Sequence, residues 1–262
     1  MNIKGIQYRL KRDLISRNHF HHYKKNLSHL KNKNYNFYTL REVYSNPKYE
    51  NMVGLRHDVD INDPVGNFMF YNIEKSIGAK STFYFRLSTI KKHKKLIKNL
   101  IQDNFEVGYH FEEPASFMKK NKIKSLNELR KNKHEIQDHL SQNILKFENI
   151  INKKIDSICA HGDWINRVYN FTNSEFISQK FLDVNNIKFE AYDDKLKNLF
   201  DYYLTDTSSF NTIWKNDYSP INASDESYKK LYILTHERTF HLERKSSWES
   251  NIKTLYEKIL FR

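Results

Sequence analysis

The sequence predicts an α/β fold with parallel strands, of a size that suits one barrel domain. Three observations predict it. From residue 52 onward, short apolar runs rich in β-branched and aromatic residues alternate with helical patterns, and alternation at that spacing implies parallel strands joined by crossover helices. Four of the strands end in runs carrying His or Asp, as expected where the C-terminal ends of parallel strands converge on one face. The chain has 262 residues, 39% hydrophobic and 15% aromatic, enough large side chains to fill one core.

The elements follow in order. Residues 1–50 read as a mixed helix-and-loop extension. Leu10 to Leu30 is dense in His, Lys and Arg, and Asn34 to Val43 is aromatic in character. Met52 to Arg56 reads as a buried strand ending in His57-Asp58-Val59-Asp60. Asn62 to Ile77 reads as a helix, with Asp63 as N-cap, Pro64 in the first turn and Gly78 as its stop. Ser81 to Arg86 is a second strand and Ile90 to Gln102 an amphipathic helix. Phe105 to Phe111 is a third strand, and Leu126 to Ile151 carries a long helical pattern. Ile155 to Ala160 is a fourth strand. Phe189 to Tyr192, Asp201 to Thr205 and Leu231 to Thr235 read as short strands, and Ser246 to Leu260 as a closing helix. No low-complexity linker interrupts this order, so residues 51–262 read as one unit.

The chemistry sits at the strand ends. Asp58 and Asp60 lie two apart and point to the same side of a strand. Two carboxylates so close repel unless a cation lies beside them, and a divalent metal would take one as ligand and leave the other free as a base. The competing account is a pair of aspartates capping the following helix. His110, on a buried-looking strand, is a natural ligand next to Asp60, since imidazole and carboxylate together suit Zn²⁺ and similar ions. Other signals are weaker. Six scattered glycines leave no phosphate-binding loop. Cys159 falls in a buried strand pattern and reads as core. His19, His21 and His22 read as an exposed helix end.

Taken in order, Asp58-Val59-Asp60, Glu106-Val107-Gly108-Tyr109-His110, Ala160-His161-Gly162-Asp163 and Leu234-Thr235-His236 resemble the polysaccharide deacetylases, carbohydrate esterase family four. The closest likeness is to divergent members associated with bacterial surface-glycan synthesis, and it spans roughly Met52 to His236. The resemblance implies a distorted (β/α) barrel of about seven parallel strands and metal-dependent removal of acyl groups from sugars. It implies Asp58 as general base, Asp60 and His110 as metal ligands, His236 as general acid and Asp206 as the group orienting that acid. One divalent ion, zinc by preference, is the implied cofactor. Two departures stand out. The usual second histidine ligand falls four residues after the first, at Pro114, which has no donor. The usual Arg-x-Pro motif is replaced by Ala160-His161-Gly162-Asp163. The third ligand is then His161, favoured by donor type, or Glu112 or Glu113. Tyr109, Glu112, Asp163, Trp164 and Trp214 are candidate substrate-binding residues. Core or rim packing is the alternative for both tryptophans.

The net charge is +13. An anionic partner would use it, but Lys91-Lys92-His93-Lys94-Lys95 and Lys119-Lys120 fall in helical patterns and read better as solvated helix faces. No segment reaches the length of a membrane span and Met1 to Arg17 lacks an apolar core, so a cytoplasmic location is expected. The expected partner is a sugar or glycan, able to bear a phosphate. No nucleic acid is expected, and peripheral contact with an anionic membrane is compatible with the charge. The competing function is a non-catalytic barrel that binds an anionic glycan or nucleic acid through its basic surface.

Overall fold

The computed structural model describes residues 18–207 and 212–261. Residues 1–17 of the predicted extension, and Ser208 and Ser209 beside Asp206, lie outside the described residues. Among the described residues, eight parallel strands form one sheet: β1 (Asn36–Tyr38), β2 (Met52–Val59), β3 (Thr82–Phe85), β4 (Glu106–Phe111), β5 (Ser157–Ala160), β6 (Phe189–Glu190), β7 (Tyr202–Thr205) and β8 (Lys230–His236). The main path runs β6-β5-β4-β3-β2-β8-β7. β1 pairs with the first residues of β2 (Asn36 opposite Met52), and β3 pairs with the later ones (Arg56 opposite Thr82).

The seven-stranded path curls without closing. Tyr232 of β8 donates its hydroxyl to the carbonyl of Ala191, just past β6, at 2.9 Å, so the two halves of the sheet meet across the interior. This is the expected α/β fold, a distorted (β/α) barrel. The strand period of two separates its layers. Leu40, Tyr84, Cys159, Phe189, Leu196 and Tyr232 pack inside. Val53, Leu55, Phe83, Tyr109 and Ile233 face outward, against Phe20, Tyr23, Phe70, Leu100 and Phe147 of the helices. The interior is narrow: a Cβ on Gly108 would lie 2.4 Å from the Tyr84 ring. Glycine there lets β3 and β4 carry a tyrosine between them.

The helix boundaries follow local chemistry. Asp63 caps helix Pro64–Ser76 by accepting from Gly66 N–H at 2.8 Å, and Gly78 ends that turn at φ +69°. The single long pattern at Leu126 to Ile151 is two helices, Leu126–Lys131 and Lys133–Ile151, divided at Asn132. The helix expected from Ile90 begins at Lys94, after a series of turns. Residues 36–38, read in the sequence as part of a helix-and-loop stretch, form β1. Helix Phe20–Asn32 buries Phe20, Tyr23, Leu27 and Leu30 in the outer core. Among the described residues, no helix is long and apolar enough to cross a membrane.

Candidate metal centre and pocket

β2 lies within the sheet, between β3 and β8, and sends Arg56, Asp58 and Asp60 to the interior side of its C-terminal end. His57, between them, points outward. Its ring nitrogens contact Glu74 Oε1 and Thr235 Oγ1, each at 2.7 Å, and Glu74 also accepts from Tyr23 and Ser81. Pairing in register places His236 of β8 directly beside Asp58. His110 stands opposite Cys159 across the β4–β5 pair, and His161 follows β5 directly.

Three donors converge. Asp60 Oδ1 lies 3.2 Å from His110 Nε2 and 3.0 Å from His161 Nδ1, and the two ring nitrogens are 3.1 Å apart. Tetrahedral ligands at about 2.0–2.1 Å from a zinc ion sit about 3.3–3.4 Å from one another, so the spacing matches a shared cation. His110 Nδ1 contacts the Cys159 carbonyl at 3.0 Å. A carbonyl only accepts, so Nδ1 carries the proton and Nε2 keeps its lone pair for the cluster. Asp60 Oδ1 is buried and accepts no backbone N–H or hydroxyl; its close neighbours are the two imidazole nitrogens, an arrangement a shared cation would satisfy. The residues present therefore fit one divalent ion.

A second trio, Asp58, His110 and Cys159, also brings its donors within 4.8 Å. It is the poorer site. Arg56 donates to both oxygens of Asp58, at 2.7 and 2.6 Å, and its Nη2 lies 2.8 Å from Cys159 Sγ. A metal there would share its ligands with a guanidinium. Burial also pushes the Cys159 thiol well up, away from the thiolate a metal needs. Burial acts on Asp58 too, in the direction of protonation, but Arg56 outweighs it and holds the carboxyl below its usual range. Arg56 is itself fully buried, its guanidinium 4.3 Å from the Tyr192 ring centroid.

On the other side of Asp58 stands His236, with Nε2 4.0 Å from Asp58 Oδ2. Asp206 accepts from His236 Nδ1 at 2.7 Å and from its backbone N–H at 2.8 Å, fixing both ring and main chain. Burial alone would lower this histidine; the Asp206 carboxylate overrides it and raises the group to about 10. Asp206 thus favours the imidazolium form of the ring, whose Nε2 faces Asp58. Glu237, next in sequence, accepts Ile61 N–H at 2.7 Å, and burial with Asp60 nearby pushes its carboxyl well above the usual carboxylate range.

A cavity of about 670 Å³ opens above the cluster, lined in part by Asp60, His161, Asp206, His236 and Trp164. Arg86, Lys119, Arg167 and Arg238 also line it, and helix Arg244–Leu260 forms one wall. Lys119 is thus not on a solvated helix face: it is mostly buried and pairs with Asp163 at 2.6 Å and Glu257 at 2.8 Å. His93, in the other basic run, is buried as well.

The candidate substrate-binding residues divide. Trp164 lines the pocket, its Nε1 donating to Glu257 at 3.2 Å. Asp163 lines it too, but its carboxylate is engaged by Lys119 and by Ile165 N–H. Glu112 is held by Arg86 at 2.5 Å; burial favours its neutral form, and Arg86 outweighs this to bring it down to about 2. It is absent from the metal cluster. The Tyr109 side chain lies outside the site. Strand alternation sends it opposite to His110, where its ring packs on Phe147 and its hydroxyl donates to Glu113. Trp214 is buried 6.1 Å from the Phe240 ring and does not reach the cavity. Arg56 and Arg86 were not picked out from the sequence. For Arg56 the signal was a charge inside an otherwise apolar strand.

No protein-family model and no curated protein matches the chain. Solved structures resemble it. The wild-type CE4 family pseudoenzyme BA3943 from Bacillus anthracis has a TM-score of 0.44 and 16% identity, covering 80% of this chain and 62% of that one. A BA3943 mutant with restored enzymatic activity has a TM-score of 0.45 and 17% identity, covering 80% and 65%. The polysaccharide deacetylase Bc1974 from Bacillus cereus has a TM-score of 0.39 and 17% identity, covering 79% and 87%. The chain spans under two thirds of the length of the BA3943 structures.

Proposed function

We propose that this chain is a metal-dependent carbohydrate deacetylase of the polysaccharide deacetylase type. Its substrate would be a glycan or sugar precursor of bacterial surface-polysaccharide synthesis. The observation that carries the reading is the convergence of Asp60, His110 and His161 on one point, between an ionised carboxylate and a protonated imidazole. When bound, a divalent ion, zinc by preference for this donor set, supplies Lewis-acid polarisation of an acyl oxygen and acidifies a water. Asp60, His110 and His161 would hold it. Asp58, kept ionised by Arg56, accepts the proton of the attacking water as general base. His236 donates from Nε2 to the departing nitrogen, and Asp206 keeps it protonated and oriented. Trp164 offers an apolar face to a sugar ring in the pocket. Hydrolysis of the acyl–nitrogen bond in this way leaves a free amine and a carboxylate.

The test pairs metal analysis with turnover. The purified chain should carry close to one divalent ion, lose activity on N-acetylated amino sugars when chelated, and regain it with zinc. His110→Ala should lose both ion and activity. A chain that binds no divalent ion, and instead binds anionic glycan or nucleic acid with steep salt dependence, would support the non-catalytic alternative.

A further inference from the structure

Helix Arg244–Leu260 is seated inside out. A surface helix ordinarily buries its apolar stripe and leaves its polar face in water. Here the protein side carries Ser246, Ser247, Ser250, Asn251, Thr254 and Glu257. The solvent side carries Trp248, Ile252, Leu255, Tyr256, Ile259 and Leu260, each between 41% and 61% exposed. By helical geometry these six fall within an arc of about 140°. They account for half of the large hydrophobic residues exposed among the described residues. A contiguous apolar face of this kind marks an interaction surface.

We propose that this face docks on an anionic lipid bilayer. The charge selects that occupant. The chain carries +13 overall, and on the same helix as the stripe the exposed Arg244, Lys245 and Lys253 outnumber the exposed acid Glu249. Basic residues beside an apolar stripe that includes Trp and Tyr are the composition of a helix lying in the membrane interface. Anionic headgroups attract each such cation, whereas a second copy of the chain would bring two bodies of +13 together with the same basic residues face to face. The helix is also one wall of the pocket, through Ser250, Asn251, Lys253, Thr254 and Glu257. A bilayer under its apolar face would therefore lie about one helix diameter, roughly 10 Å, from the cavity. On the deacetylase reading, a sugar carried on a lipid anchor would be presented at the pocket. The docking itself does not depend on that reading.

The experiment is co-sedimentation of the full chain with vesicles of phosphatidylcholine alone and of phosphatidylcholine mixed with phosphatidylglycerol. Binding should require phosphatidylglycerol and fall with added salt. The double variant Trp248→Ser, Ile252→Ser should bind on the order of 10-fold more weakly or worse, as should Lys245→Glu to a smaller degree. Circular dichroism and metal content of the double variant should match the parent, because both side chains face solvent. Tyr256→Ser gives a milder second variant whose binding should fall between the two. Absence of sedimentation with either vesicle overturns the proposal, as does equal binding to both. A dimer that the double variant dissolves, without vesicle binding, assigns the face to a second copy instead. Vesicle binding without turnover would uphold the docking surface and count only against the deacetylase.

Discussion

Arg56→Met tests the buried pair on which the base depends. The substitution keeps most of the side chain's length and removes its charge. Asp58 then loses two hydrogen bonds of 2.7 and 2.6 Å and its nearest cation while remaining 2% exposed. Removing one partner of a buried pair costs about 3–5 kcal/mol, because the other charge is left unsolvated. Two hydrogen bonds to a charged group, at about 1.5–3 kcal/mol each, lead to the same scale. Asp58→Asn alone should also destabilise, by leaving the guanidinium buried without its carboxylate. The double variant should lose much less than the sum, with a coupling of about 2–3 kcal/mol. The pH dependence should change sign. In the parent, Asp58 sits below its ordinary 3.8, so its contribution is present above that pH and is lost as pH falls through the lowered value. In Arg56→Met burial prevails and raises the group. Acidification then favours the folded variant, and the gap to the parent narrows. Urea unfolding of the four proteins at neutral and mildly acidic pH measures both effects. A loss under about 1 kcal/mol in Arg56→Met, or strictly additive losses, would refute the reasoning.

Three further outcomes are expected. Asp58→Asn should keep its metal while kcat falls on the order of 10²- to 10⁴-fold, whereas Asp60→Asn should lose metal and recover partly in excess zinc; equal metal loss in both, by elemental analysis, would make Asp58 a ligand. Asp206→Asn should let His236 fall from about 10 toward its ordinary 6.5, drawing the alkaline limb of the pH–rate profile down with it. The same raised value stabilises the parent fully below 6.5 and is lost as pH climbs toward 10, so the variant's stability should vary less across that window; an unmoved alkaline limb would remove His236 as the acid. Glu74→Ala should cost about 3–5 kcal/mol in urea unfolding, since Tyr23, Ser81 and His57 all lose a buried partner, yet leave the metal content of the folded protein unchanged; a loss below about 1 kcal/mol would mean that water replaces the carboxylate.

The strand ends carried most of what could be read in advance. Asp58, Asp60, His110 and His236 are legible because a short polar run closing an apolar strand is a local pattern, and parallel pairing brings such ends to one face whatever the loops do. Tyr109 was expected in the substrate site and is not there: it adjoins His110 on one strand, and the period of two sends its side chain to the opposite face, against Phe147 and Glu113. Lys119 was not legible: in a helix pattern it looks like a solvated cation, and only the approach of Asp163 and Glu257 from distant elements buries it.

The sequence by itself determined the alternation of strands and helices, the parallel barrel they imply and the residue types waiting at the strand ends. Those are properties of nearest neighbours along the chain: side-chain period, caps and turn residues. The tertiary structure decided which ends meet. It brought His161 to within 3.1 Å of His110 where Glu112 is taken by Arg86, and it set Arg56 between Asp58 and Cys159 inside the barrel. It also turned the apolar side of helix Arg244–Leu260 outward, although the pattern alone would have buried it. The reason is that contact between residues 50 to 180 positions apart depends on how the sheet curls and how each helix rolls against it. Periodicity gives a helix its stripe but does not say which way the stripe will face.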